Sequence, residues 1–203
     1  MTIGLDMMGG DFAPLEAVKG VMKYFQEGNS SATVVLIGDE SKLEPLLSEY
    51  KVPGDRIKIV HAEQVIDMHE HPTKALKEKQ KSSIAIGFQL LAAGNIDAFI
   101  SAGNTGAMLV GALFSIKALE GVLRPTISTI IPKENGDTGL LLDVGLNADC
   151  KPEQLNQFGE ALITLVPFLK MVQFNVGGLI HLNSLVLPQV VLLIMASNIL
   201  QIL

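Results

Sequence analysis

An α/β fold with a largely parallel sheet flanked by helices follows from three observations on the 203-residue sequence. Short apolar runs recur at residues 2–6, 33–37, 57–60 and 96–100, each the length of a buried strand. Between them lie segments whose apolar residues repeat at helical spacing, the alternation that builds parallel sheets. The loops richest in Gly, Asp and Asn come directly after strands, at residues 6–11, 101–107 and 143–149. Ligands of such sheets lie outside the carboxyl ends of the strands, so these three loops are expected to share one edge.

The elements follow in order. After the first strand, Pro14 suits the first turn of a helix, and Leu15, Val18, Val21, Met22 and Phe25 recur at helical spacing. Gly28-Asn29 is the expected stop. The second strand ends at Gly38, and Ser41 with Glu44 has capping-box spacing for a helix reaching about Tyr50. A third strand over 57–60 leads into an irregular connection at 67–73. Residues 74–93 read as one long helix closed by Gly94-Asn95. The fourth strand, 96–100, enters the turn Ser101-Ala102-Gly103-Asn104-Thr105-Gly106-Ala107. Met108, Leu109, Ala112, Leu113, Ile116 and Leu119 then give a helical pattern. Residues 126–131 and 139–143 are strand candidates around a turn at 133–137, and Lys151-Pro152-Glu153 opens another helix.

Composition narrows the function. A net charge of −6 argues against general nucleic-acid binding, which needs a basic face. One cysteine, Cys150, gives no intramolecular disulfide framework and suits a reducing compartment. The first residues carry no basic stretch before Asp6, so no secretory leader is expected. No G-x-G-x-x-G follows the first strand, which disfavours a dinucleotide.

Strand, glycine turn and helix together aim main-chain N–H groups and a helix's positive end at an anion. Gly9, Gly10, Gly103 and Gly106 permit close approach, while Ser101, Asn104 and Thr105 add polar side chains. Asp6 ends a buried strand and needs a partner there. Asp11 either lines the site or caps the helix near Pro14. Asp143 and Asn147 repeat the pattern in the third loop. Lys74, Lys77 and Lys81 fall at i, i+3 and i+7, on one face of the expected helix, where they would attract phosphate or an acidic partner. A solvated face is the plainer reading of the same spacing. Asp67, His69, Glu70 and His71 are metal-ligating residue types, yet so close together in a connection they read as surface, and no metal is expected. Cys150 lies between Asp149 and Lys151 with no histidine near it in sequence, a poor setting for a nucleophile.

GLDMMGGDFAP (4–14), VLIGDE (35–40), IVHAEQVIDMHEHPTKALKEKQKSSI (59–84), DAFISAGNTGA (97–107) and LLDVGLNADCKPEQLNQF (141–158) resemble the bacterial phosphate acyltransferase (PlsX) family. The resemblance covers the amino-terminal half of that family. It implies a Rossmann-like fold related to phosphotransacetylases and isopropylmalate dehydrogenases. The implied reaction moves a fatty acyl group from acyl carrier protein to inorganic phosphate, giving acyl phosphate for phospholipid synthesis. It requires no metal or redox cofactor. The implied setting is a cytosolic homodimer, peripheral at the inner face of the plasma membrane, upstream of a glycerol-3-phosphate acyltransferase. The residues expected to carry the chemistry are Asp6, Lys77, Lys81 and Asn104. Gly9, Gly10, Asp11, Ser101, Gly103, Thr105, Gly106, Asp143 and Asn147 are expected to hold phosphate. The same loops would serve a phosphotransacetylase-like activity on a coenzyme A thioester.

The resemblance ends near Glu160, making residues 1–160 an incomplete domain. All 21 acidic residues precede Ala161, and Lys170 is the one Lys or Arg after it. Residues 161–203 are therefore read as an out-of-frame or aberrant tail. The alternatives are a membrane segment over 176–203, interrupted by His181, Asn183, Pro188, Gln189, Asn198 and Gln201, or a packed apolar helix pair. A chain that stops here leaves a third reading of function, a catalytically inactive fragment.

Overall fold

The computed structural model describes residues 1–27, 31–117, 126–132, 134, 138–143 and 149–159. The stop expected at Gly28-Asn29, most of the turn at 133–137, Asn147 and the whole tail from 161 lie outside them. The chain divides into two compact units, with the boundary between Lys117 and Ala118.

The first unit alternates strands and helices. In order these are β1 (Thr2–Asp6), α1 (Leu15–Glu27), β2 (Thr33–Gly38), α2 (Glu40–Glu49), β3 (Ile57–His61), α3 (Pro72–Glu78), α4 (Ser83–Ala92), β4 (Ala98–Ile100) and α5 (Thr105–Ser115). All four strands are parallel, in the order β3-β2-β1-β4. Side chains on a strand alternate between faces, and here both faces are buried. Val34 and Leu36 of β2 pack with Met7, Val18, Val21 and Leu43, on the side of α1 and α2. Val35 and Ile37 face Ile84, Phe88, Phe99 and Met108, on the side of α4 and α5. Phe88 and Phe99 meet edge to face with centroids 5.3 Å apart. Gly87 lies directly over the Phe99 ring, where any Cβ would collide with it.

Two expectations about helices need correction. The helix expected over 74–93 is two helices, α3 and α4, separated at residues 79–82. Ser82 is extended (φ −75°, ψ 154°) and its Oγ accepts from the Ala85 N–H at 3.3 Å, which makes it the N-cap of α4. The chain before it runs parallel to Gln64, whose N–H donates to the Lys81 carbonyl at 3.3 Å. A short hydroxyl side chain before an apolar run favours a cap over a helix interior, and that preference overrides the continuous periodicity. The second correction concerns α2, whose N-cap is Asp39 rather than Ser41. The Asp39 carboxylate accepts from the N–H and hydroxyl of Ser41 at 3.2 and 2.7 Å.

The second unit contains β5 (Ser128–Pro132) and β6 (Thr138–Leu142), an antiparallel pair with Ser128 opposite Leu142, and a helix over residues 152–159. Of the third glycine-containing loop, 143–149, only Asp143 and Asp149 are among the described residues, and Asp143 follows β6 of this pair. Among the described residues no helix is long and apolar enough to cross a membrane.

Candidate functional site

β1 and β4 are neighbours, so their carboxyl ends bring loops 6–11 and 101–107 side by side. Gly9 and Gly103 make the junction. A Cβ on Gly9 would stand 2.6 Å from the Gly103 nitrogen and 2.9 Å from its Cα. Gly10 has φ +99°, a left-handed conformation that other residues rarely adopt.

Asp6 lies beneath this junction, 3 % exposed. The Ser101 hydroxyl donates to its Oδ2 at 2.6 Å, and the Met8 N–H donates to Oδ1 at 2.9 Å. Ser83, in the first turn of α4, and the Gly9 N–H also bond to it. Burial pushes the Asp6 carboxyl above its ordinary range, and these four hydrogen bonds pull against that shift. Ser101 Oγ in turn accepts from the Gly103 N–H at 2.9 Å. Its one proton is committed to Asp6, so Ser101 shapes the turn and has no donor left for an anion.

Asn104 is the N-cap of α5 and is 4 % exposed. Its Oδ1 accepts from the Ala107 N–H at 2.9 Å. Its Nδ2 donates to the carbonyls of Asp67, Met68 and Glu70 at 2.9, 3.2 and 3.1 Å. Both ends of the amide are thus occupied by protein, and Asn104 joins the 67–71 connection to the start of α5. The Met108 N–H bonds to the Asn104 carbonyl. Helix geometry leaves the N–H groups of Thr105 and Gly106 without intrahelical partners. Thr105 and Gly106 are both half-buried at this helix start. Pro72, at the start of α3, packs against Gly106 so closely that a Cβ there would collide with it.

The lysines do not share one face, because α3 ends before Lys81. Lys81 pairs with Glu63 at 3.0 Å on the surface. Lys77 is exposed on α3 and lines a groove of about 390 Å³ with Leu76, Phe88, Val110 and Phe114, away from the glycine junction. Asp11 is exposed in the turn before α1. Asp143, at φ 60°, belongs to the second unit, where its carboxylate accepts from the Cys150 thiol at 3.6 Å. Among the described residues no three metal-ligating side chains come together. Glu70 is instead paired with Lys79 at 2.6 Å. Sequence reasoning put Ser82 and Ser83 inside one long helix, where they could meet the site or simply pack, and passed over Lys79. The Ser82-Ser83 pair before an apolar run was a readable sign that α4 begins there; for Lys79 the sequence carries no sign at all.

A family model described as "Fatty acid synthesis protein" matches residues 1–169. The phosphate acyltransferase of Dictyoglomus thermophilum is 48% identical over 158 residues, covering 78% of this chain and 46% of that protein. The phosphate acyltransferase of Chlorobaculum tepidum is 42% identical over 177 residues, covering 87% of this chain and 54% of that protein. The chain spans about half the length of the curated relatives it matches. Among solved structures, the EutD phosphotransacetylase from Staphylococcus aureus superposes with a TM-score of 0.51 at 20% identity, covering 76% of this chain and 49% of that one. That likeness is one of fold.

Proposed function

We propose that this chain, which belongs to the fatty acid synthesis protein family, holds inorganic phosphate for transfer of a fatty acyl group from acyl carrier protein, yielding acyl phosphate for phospholipid synthesis. The observation that carries the reading is the junction of Gly9 and Gly103 beside the first turn of α5. There the main chain can close on a tetrahedral anion, with the helix's positive end facing it. The names of the relatives supply the reaction class, and the family description supplies the fatty acyl setting.

On this reading a phosphate oxygen attacks the thioester carbonyl carbon. A carbon–oxygen bond forms and the carbon–sulfur bond breaks. The electron pair leaves with sulfur, which takes up a proton as the free carrier thiol. The Thr105 and Gly106 N–H groups would hold the anion and orient its attacking oxygen, and orientation is a large share of what such a transfer needs. Asp6, Ser101 and Asn104 would fix the shape of the cradle, and the lysines of α3 would add positive potential. The acyl carrier protein, a second copy of the chain and a membrane surface are the proposed partners. A second reading is that these residues, which span about half the length of the relatives they match, bind phosphate without turning over by themselves.

The test is release of acyl carrier protein from palmitoyl-acyl carrier protein by the 203-residue chain, with and without phosphate, beside a full-length relative. Phosphate-dependent release is expected, and palmitoyl-coenzyme A as donor checks for a phosphotransacetylase-like preference. No release with phosphate still bound would select the second reading. Absence of phosphate binding would remove the cradle itself.

A further inference from the structure

The connection over residues 62–71 has no regular secondary structure, yet it is fastened at several points, and Lys79 supplies two of them. Lys79 is the C-cap of α3 and its side chain is 28% exposed. Its Nζ donates to the Val65 carbonyl at 2.7 Å and to Glu70 Oε2 at 2.6 Å. The same Oε2 accepts from the Asp67 N–H at 2.8 Å, and the Glu70 N–H returns to the Asp67 carbonyl at 3.2 Å. The Glu70 carboxylate thus closes the turn at 67–70. The closed turn directs the carbonyls of Asp67, Met68 and Glu70 at one point, which Asn104 Nδ2 occupies. Asn104 Oδ1 then fixes the Ala107 N–H, in the first turn of α5.

Each contact in this series is within hydrogen-bonding distance, and the charged ones, at 2.6–2.8 Å, are of the stronger kind. Asn104 can keep its amide in one orientation only while the three carbonyls converge. The pair Lys79–Glu70 is what holds them convergent. We infer that Lys79 is a positioning residue: through Glu70 and Asn104 it sets the first turn of α5 and so the affinity of the cradle for phosphate. The inference rests on the proposed reading of that turn as the phosphate site. It assigns Lys79 a role set by geometry, whereas Lys74, Lys77 and Lys81 stood out in the sequence for their charge.

The experiment uses the full chain and inorganic phosphate, with affinity read by phosphorus NMR. Amide hydrogen exchange is followed at Ala107, at the end of the relay, and at Leu36, in the centre of the sheet. Lys79→Met is expected to weaken phosphate binding about tenfold and to speed Ala107 exchange by a similar factor, with Leu36 unchanged. Lys79→Arg, which keeps a cation opposite Glu70, should restore both within about twofold. Glu70→Gln should match Lys79→Met, and the double variant should be no worse than either, because both break one relay. An unchanged Ala107 amide in Lys79→Met, or a Lys79→Arg variant as weak as Lys79→Met, would overturn the assignment. If Lys79→Met loses Leu36 protection, Glu70→Gln, equal in size to the native side chain, decides in its place. Were wild type to bind no phosphate, the phosphate reading would fail, while Ala107 exchange would still report whether Lys79 governs the turn.

Discussion

Asp6 and Asp143 each follow an apolar run and lead into a glycine-containing loop, but their surroundings differ. Asp6 ends β1, a strand paired on both sides, by β2 and by β4. Its carboxylate is enclosed and receives Ser101, Ser83, Met8 and Gly9. Asp143 follows β6, which pairs with β5 in a two-stranded hairpin. It is half-buried, its N–H donates to the Ile127 carbonyl at 2.7 Å, and its carboxylate meets the Cys150 thiol. Loop composition is alike in the two places. The position of the preceding strand in its sheet sets how enclosed the carboxylate at its end is.

The largest effect that would test this contrast is expected at Asp6. Asp6→Ala strands two hydroxyls and two N–H groups in the interior, a loss of about 3–5 kcal/mol when each costs about 1–3 kcal/mol and relaxation recovers part. A urea-unfolding series measures it, and a loss below about 1 kcal/mol would mean the enclosure of Asp6 contributes little. Asp6→Asn keeps an acceptor and should lose less. The pH dependence separates it further. Burial raises the folded-state pKa of Asp6 above the ordinary 3.8, so the folded chain holds that proton more tightly than the unfolded chain. The stabilisation from this proton is complete below pH 3.8 and is lost as pH rises through the raised folded value. The stability difference between wild type and Asp6→Asn should therefore shift against wild type over that window. A difference flat in pH would show that Asp6 titrates as it does in the unfolded chain.

A smaller loss, about 2 kcal/mol, is expected for Gly9→Ala, because the new Cβ meets the main chain of Gly103 and the main chain must move. Phosphate affinity should fall at least tenfold with it. The same substitution at Gly20, in α1 with nothing within 4 Å of a Cβ, should go the other way. Removing a helix-interior glycine there is expected to stabilise by about 0.5–1 kcal/mol. Equal effects at the two glycines would break the claim that the junction of the loops is tight.

The parallel order of the sheet was legible because strands buried on both faces leave continuous apolar runs, as at 33–37. Four glycines and Asp6 could be placed at one edge by their position after β1 and β4. What the sequence did not convey was which polar groups face inward. Asn104 and Ser101 have the residue types of ligand binders, yet their hydrogen-bonding capacity is taken up by segments far away in sequence, at 67–70 and at Asp6. The break between α3 and α4 was obscured for a related reason. Helical periodicity is local, whereas the pairing of Lys81 and Ser82 with Gln64 depends on a segment that the 59–66 stretch brings back.

The smallest effect is expected at Asp143, where φ is 60°. Glycine adopts that conformation freely, so Asp143→Gly relieves main-chain strain in the folded state. It also enlarges the conformational freedom of the unfolded chain and removes the contact with Cys150, both of which oppose the gain. These terms are each of order 1 kcal/mol or less and nearly cancel, leaving a net change of about 0.5 kcal/mol or less. Urea unfolding of Asp143→Gly beside Asp6→Ala gives the comparison its direct measure. A loss at Asp143 approaching that at Asp6 would show that a hairpin strand can hold an acid as tightly as a central parallel strand. Strand position would then no longer explain the difference between the two carboxylates.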